Sequence, residues 1–96
     1  MTDTFLLSPK AQKEILEAWE WYEERQLGLG DTFQREVYRK LNFIVRNPLH
    51  YPLKGKYREA IIDVFPYLIA FKIDQNKNSI FIISIFHMSR HPKRKY

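Results

Sequence analysis

From Pro9 onward, Ala11, Ile15, Ala18, Trp19 and Tyr22 recur at three- and four-residue intervals, while Lys13, Glu14, Glu17, Glu20, Glu23 and Glu24 occupy the positions between. That period is one face of an amphipathic α-helix. Ser8 is a suitable N-cap, and Pro9 at the first helical position loses an N–H that no helix would have used. The pattern fades near Leu27, and Gly28 and Gly30 break it. Asp31, with Gln34 three residues on, reads as a second N-cap. The stripe Phe33, Val37, Leu41 and Ile44 then predicts a second helix that stops at Arg46 or Asn47. So short a glycine-containing connection predicts an antiparallel helical hairpin.

Outside the helices the period changes to two. "TFLLSP" predicts a short strand from Thr4 to Leu7, and "NPLHYPLKGK", with two prolines and a glycine, reads as a loop. Three strands follow: "YREAIIDV", then "YLIAFKID" after a turn at Phe65 and Pro66, then "SIFIISIFH" after the turn "QNKN". The expected architecture is α+β. It has a short N-terminal strand, an antiparallel two-helix hairpin on one face, and a three-stranded antiparallel meander, about four strands in all.

Composition narrows the class. A chain of 96 residues with 45% hydrophobic content is large enough for one core and too small for two, so residues 1–96 are expected to form a single domain. Without cysteine there is no disulfide framework and no thiolate chemistry. The three histidines lack the paired spacing of a metal site, and neither metal nor cofactor is expected. "MTDTFLLSPK" has no basic leader and no run approaches the ~18 apolar residues of a membrane span, which predicts a cytoplasmic protein without a membrane partner. The net charge of +5 is unevenly placed. Residues 1–36 hold eight acids against four bases, whereas residues 37–96 hold twelve bases against Glu59, Asp63 and Asp74. A field of +9 in the second half attracts phosphate or an acidic peptide, or serves solubility alone.

Several stretches, taken in order, carry a family likeness. "SPKAQKEILEAWEWYEE" and "GLGDTFQREVYRKLNFIVRNP" match the helical hairpin, "YP" and Arg58 precede the meander, and "FPYLIAFKID" and "IFHMSRHP" close the pattern. Over nearly its whole length the chain resembles the RelE/ParE superfamily of bacterial toxins, the toxic halves of type II toxin–antitoxin modules, often labelled plasmid stabilisation proteins. The resemblance implies a strand–helix–helix–three-strand fold, growth arrest, and a cognate antitoxin whose partly disordered segment folds over the toxin. RelE-like members cut mRNA on the ribosome without metal, and ParE-like members inhibit DNA gyrase, so two targets follow from one scaffold.

Metal-free RNA cleavage needs a base, an acid and cations around the phosphate. His87 is the acid–base candidate, and Arg58 and Arg90 are candidates to clamp the phosphate. Lys54, Lys56, Lys93 and Arg94 add positive charge for phosphate or target binding, and Tyr67 is placed to stack on a base. Each has a structural counterpart. His87 can pack its ring at a strand end, Arg58 can pair with a carboxylate, Tyr67 alternates with Ile69 and Phe71 as a sheet residue does, and Lys54 and Lys56 can be solvated loop charges. Arg90 has no acid near it in sequence and is the strongest single candidate. Trp19 and Tyr22 share the apolar helical face; Trp21 does not, and it marks a place where the first helix meets a partner.

One departure bears on the target. RNA-cutting members tend to carry basic residues along the middle strand of the meander, and "AIIDVFPYLIAF" has none. The reading that follows is a growth-arresting toxin neutralised by an antitoxin, with gyrase ahead of ribosome-bound mRNA as target. A non-toxic binding module of the same fold is the rival.

Overall fold

The computed structural model describes residues 4–90 and 96. A strand β1 (Phe5–Leu7) leads into α1 (Pro9–Arg25) and α2 (Leu29–Arg46), followed by a 3-10 turn at Pro48–His50. Four more strands follow: β2 (Leu53–Lys54), β3 (Tyr57–Ile61), β4 (Tyr67–Asp74) and β5 (Ser79–His87). The sheet order is β1-β5-β4-β3-β2, with β1 parallel to β5 and every other pair antiparallel. The α+β expectation and the helix pair are borne out. The strand count is corrected to five, because Leu53 and Lys54, read as loop, pair with Arg58 and Tyr57. Both are exposed, so no burial pattern betrays them; cross-strand bonding alone makes them a strand.

Ser8 caps α1 as expected, its hydroxyl accepting from Ala11 N–H at 3.0 Å. The same hydroxyl donates to Ile83 O at 2.8 Å, and Ser8 N–H donates to Ile82 O. Six residues on, the Glu14 carboxylate accepts from Ile85 N–H at 2.9 Å and from Ser84 Oγ at 2.8 Å. Ile83, Ser84 and Ile85 lie just past Ile82, the partner of Leu7 and the point where β1 stops pairing with β5. Helix side chains thus take over the backbone groups of a strand edge that β1 no longer covers.

The second helix starts earlier than its sequence suggests. Gly28, at φ +89°, is the cap position, and the carboxylate of Glu23 accepts from the N–H groups of Gly28 and Gly30, each at 2.8 Å. Asp31 is therefore not the N-cap; it accepts from Trp19 Nε1 at 2.9 Å. The end of one helix caps the start of the next, so the hairpin turns within residues 26–28. At Gly30 the helices touch: a Cβ there would lie 2.6 Å from Trp19 O and 2.9 Å from Glu23 Oε1.

The main core lies between the helices and one sheet face, with Ala11, Ile15, Phe33, Val37 and Leu41 packed on Ile69, Phe71, Ile80 and Ile82. Burying a side chain such as Phe33 stabilises by about 1.5–3 kcal/mol. Between Ala70 and Phe71 the register with β5 slips by one residue, so that Ile80, Ile82 and then Ile85 all face the helices. Without that slip Ile85 would point away from the core.

Candidate functional site

The ends of β4 and β5 meet the second half of α1 at an aromatic nest. Tyr67, the first residue of β4, is only 4% exposed and lies opposite His87, the last residue of β5. Their rings meet edge to face at 4.9 Å. Behind them Tyr22 and Phe33 pack on Tyr67, and Phe65 packs on Tyr22 and Phe33, at centroid distances between 4.9 and 6.3 Å. Apolar burial therefore fixes the Tyr67 ring, and only its hydroxyl reaches the surface groups.

That hydroxyl accepts from Arg90 Nη2 at 3.1 Å. Burial pushes the Tyr67 hydroxyl up to about 12 against the opposing pull of the Arg90 guanidinium, and burial likewise raises Tyr22. At neutral pH both phenols keep their protons and act as hydrogen-bonding groups. Arg90 also lies 4.8 Å from the centre of the Trp21 ring, which carries the Arg25 guanidinium at 3.3 Å. Cation–π contact of this kind holds a guanidinium parallel to a surface while leaving its edge to bond.

His87 is held by the turn that follows β5. Its Nδ1 accepts from the backbone N–H groups of Ser89, at 3.1 Å, and Arg90, at 2.9 Å. Two N–H groups aimed at Nδ1 select the neutral tautomer with its proton on Nε2, because a proton on Nδ1 would face both donors. The imidazole thereby orders the turn that presents Arg90.

A cleft of about 120 Å³ separates Tyr67, His87 and Arg90 from Glu14, Glu17 and Ala18 of α1. Glu14 is partly buried there, and desolvation raises its carboxyl above the ordinary range despite the hydrogen bonds from Ile85 and Ser84. The cationic candidate thus shares its cleft with two carboxyl groups.

The other candidates lie elsewhere. Arg58 is on β3 opposite Phe71, four residues along β4 from Tyr67, which is about 13 Å at strand spacing. Its Nη1 donates to Tyr51 O at 2.7 Å, tying the loop to the sheet. Lys54 and Lys56 are exposed on the β2–β3 hairpin around Gly55. Lys93 and Arg94, like His91, lie outside the described residues. Tyr67, His87 and Arg90 are therefore brought together, and Arg58, Lys54 and Lys56 are not. Among the described residues no group of three or more His, Asp or Glu is arranged to hold a metal, and no helix is long and apolar enough to cross a membrane.

Residues 5–92 match the model of a family described as the ParE toxin of the type II toxin–antitoxin system parDE. The chain belongs to the ParE toxin family. It is the toxin component of a type II toxin–antitoxin module. This ParE-family toxin is similar in structure to a chain of the chromosomal ParDE toxin–antitoxin system from P. aeruginosa, with a TM-score of 0.76 and 10% identity over 88% of this chain and 94% of that one. It is also similar to a chain of the intact E. coli RelBE toxin–antitoxin complex, with a TM-score of 0.67 and 20% identity over 93% and 100% of the two chains. At such identities these two likenesses are of fold. No match is found among curated proteins.

In this ParE-family toxin the α1 side of the cleft was not singled out as a site by sequence. Glu14, Trp21 and Arg25 line up with the core residue Ala18 at helical intervals of three and four along the edge of the core stripe. That second stripe was the available signal. Trp21, the one aromatic off the core face, belongs to it.

Proposed function

We propose that this toxin arrests growth in the cytoplasm by binding its target rather than by cutting RNA, and that the target is DNA gyrase. The observation that carries this reading is the mixed cleft: Arg90 lines the same pocket of about 120 Å³ as Glu14 and Glu17. Carboxylates beside the guanidinium repel a phosphodiester, and they suit a protein surface that offers hydrogen-bond donors and acceptors. The separation of Arg58 from Arg90 supports the same view, since a phosphate clamp needs its cations to converge. So does His87, whose Nδ1 is engaged by the backbone while a general base must offer a lone pair to its substrate. In this reading Tyr67, His87 and Arg90 contact the target, and Lys93 and Arg94 add positive charge near it. Arg58, Lys54 and Lys56 act through structure and general attraction. The cognate antitoxin neutralises the toxin by binding it.

Purified toxin added to gyrase should stop supercoiling of relaxed plasmid while mRNA on programmed ribosomes stays intact. Cuts in the decoding site, with supercoiling untouched, would replace this reading with a ribosome-dependent mRNA interferase.

A further inference from the structure

On the exposed flank of α1, Trp21 holds two cations. The Arg25 guanidinium carbon lies 3.3 Å from its ring centre, and that of Arg90 lies 4.8 Å from it. Arg25 reaches the ring from one helical turn away, where its Nη1 also donates to Trp21 O at 3.0 Å. Arg90 arrives from the turn after β5. All three side chains are exposed, Trp21 at 36%. A cation suits the last turn of a helix, which accounts for Arg25. It does not account for a second guanidinium, from another element, on the same indole.

Two like charges drawn to one ring repel, and nothing acidic offsets them. Glu14 and Glu17 line the cleft that Arg90 enters, yet neither Arg25 nor Arg90 makes an ion pair among the described residues. Glu17 pairs with Lys13 instead. Each guanidinium spends one N–H, Arg25 on Trp21 O and Arg90 on the Tyr67 hydroxyl, and keeps the rest of its five. The indole and those bonds already restrain both side chains, so a partner has little rotamer freedom left to take away. An incoming carboxylate relieves the repulsion and accepts from the remaining N–H groups.

We infer that Trp21, Arg25 and Arg90 form a platform that reads carboxylates on an acidic segment of the protein target. The inference rests on the reading of this chain as a toxin that binds a protein, and it extends the target contact from the cleft onto the end of α1. Arg25 and Arg90 bond the carboxylate; Trp21 acts through them and is a positioning residue. The charge of α1 selects a peptide over a nucleic acid. That helix carries five glutamates against Lys10, Lys13 and Arg25, so a phosphate backbone laid along it is repelled, whereas one or two carboxylates need only the platform.

The test compares full-length wild type with Arg25→Glu, Trp21→Ala and Trp21→Phe, each checked for the wild-type circular dichroism spectrum. The toxin concentration that half-inhibits gyrase supercoiling should rise at least about tenfold for Arg25→Glu and Trp21→Ala, and Trp21→Phe should recover part of the loss because it keeps an aromatic face. The Arg25→Glu effect should shrink as salt is raised. Growth arrest on induction without antitoxin should weaken in the same order. A photo-crosslinking residue at position 25, in arrested cells, should capture a peptide that contains Asp or Glu. Folded Arg25→Glu and Trp21→Ala proteins that inhibit gyrase and arrest growth within twofold of wild type overturn the inference and leave the gyrase reading standing. A cross-link to nucleic acid, or to a peptide without Asp or Glu, overturns it as well. If wild type arrests growth but leaves supercoiling untouched, the gyrase reading fails alone, because growth arrest by the variants and the identity of the cross-linked peptide still decide the platform.

Discussion

At the scale of single residues, Arg90 is the proposed target contact whose removal should cost the least stability. It is exposed, and its side chain makes one hydrogen bond to Tyr67 and one aromatic contact with Trp21, so Arg90→Ala should change unfolding free energy by less than about 1 kcal/mol. The same change should abolish growth arrest on induction without antitoxin; full toxicity in a folded Arg90→Ala protein would remove Arg90 from the target contact. Tyr67 makes the opposite case. Its hydroxyl is held near 12 in the folded protein, whereas an unfolded tyrosine titrates near 10. The folded state therefore keeps a proton that the unfolded chain gives up, and the stabilisation, complete below pH 10, is lost as pH rises toward 12. Urea unfolding of Tyr67→Phe should show a shallower loss of stability across that window than wild type, and equal slopes would contradict it. The sequence brought Arg90, His87 and Tyr67 forward as separate candidates, and the fold places them side by side. It could not show that His87 spends Nδ1 on its own turn, because that depends on the path of Met88 to Arg90 in space. Nor could it show that Arg58 bonds the Tyr51 carbonyl instead of a carboxylate.

At the scale of elements, the two helices were legible because their apolar residues keep a helical period, and the long strands because they are apolar runs rich in β-branched and aromatic residues bounded by turn signals. The element ends were not always legible, since two of them are set by partners distant in the chain. Glu23 caps α2 from the preceding helix, which no local capping rule for Asp31 anticipates. The strand Leu53–Lys54 exists only through its pairing with β3. The tight contact at Gly30 is similarly invisible in the sequence, where the glycine reads as a helix breaker. Gly30→Ala would press a methyl group against the Trp19 carbonyl, a backbone atom that cannot rotate aside. It should cost about 1–3 kcal/mol, seen as a fall in the thermal midpoint. Glu14 ties α1 to β5, and Glu14→Ala would strip Ile85 N–H and the fully buried Ser84 hydroxyl of their acceptor. A loss of about 1–3 kcal/mol in denaturant unfolding is expected, and a neutral result would mean that other groups satisfy that edge.

At the scale of the whole molecule, charge was readable and its use was not. The sequence places +9 in the second half, and the fold puts some of these cations in distinct surroundings: Arg39 and Arg46 on the outer face of α2, Lys54 and Lys56 on the β2–β3 hairpin, and Arg90 in the cleft. Long-range attraction sums over all of them, while specificity comes from the few that sit in shaped surroundings. Association of the toxin with its antitoxin should therefore slow by about tenfold between roughly 50 and 200 mM salt, with dissociation changed much less. Surface plasmon resonance at two salt concentrations separates the two rates, and a salt-independent association rate would leave the basic half without a steering role.

The parallel pairing of β1 with β5 joins the first strand to the last, across some 75 residues of chain. During synthesis the opening strand must wait, unpaired, until the closing strand has left the ribosome. The cleft is divided in the same way, with Glu14, Ala18 and Trp21 made early and Tyr67, His87 and Arg90 made late. A message broken upstream of the β5 codons yields a peptide that holds half of each and completes neither. The cleft, like the sheet, is therefore whole only when the last strand has been made, and a truncated chain carries neither.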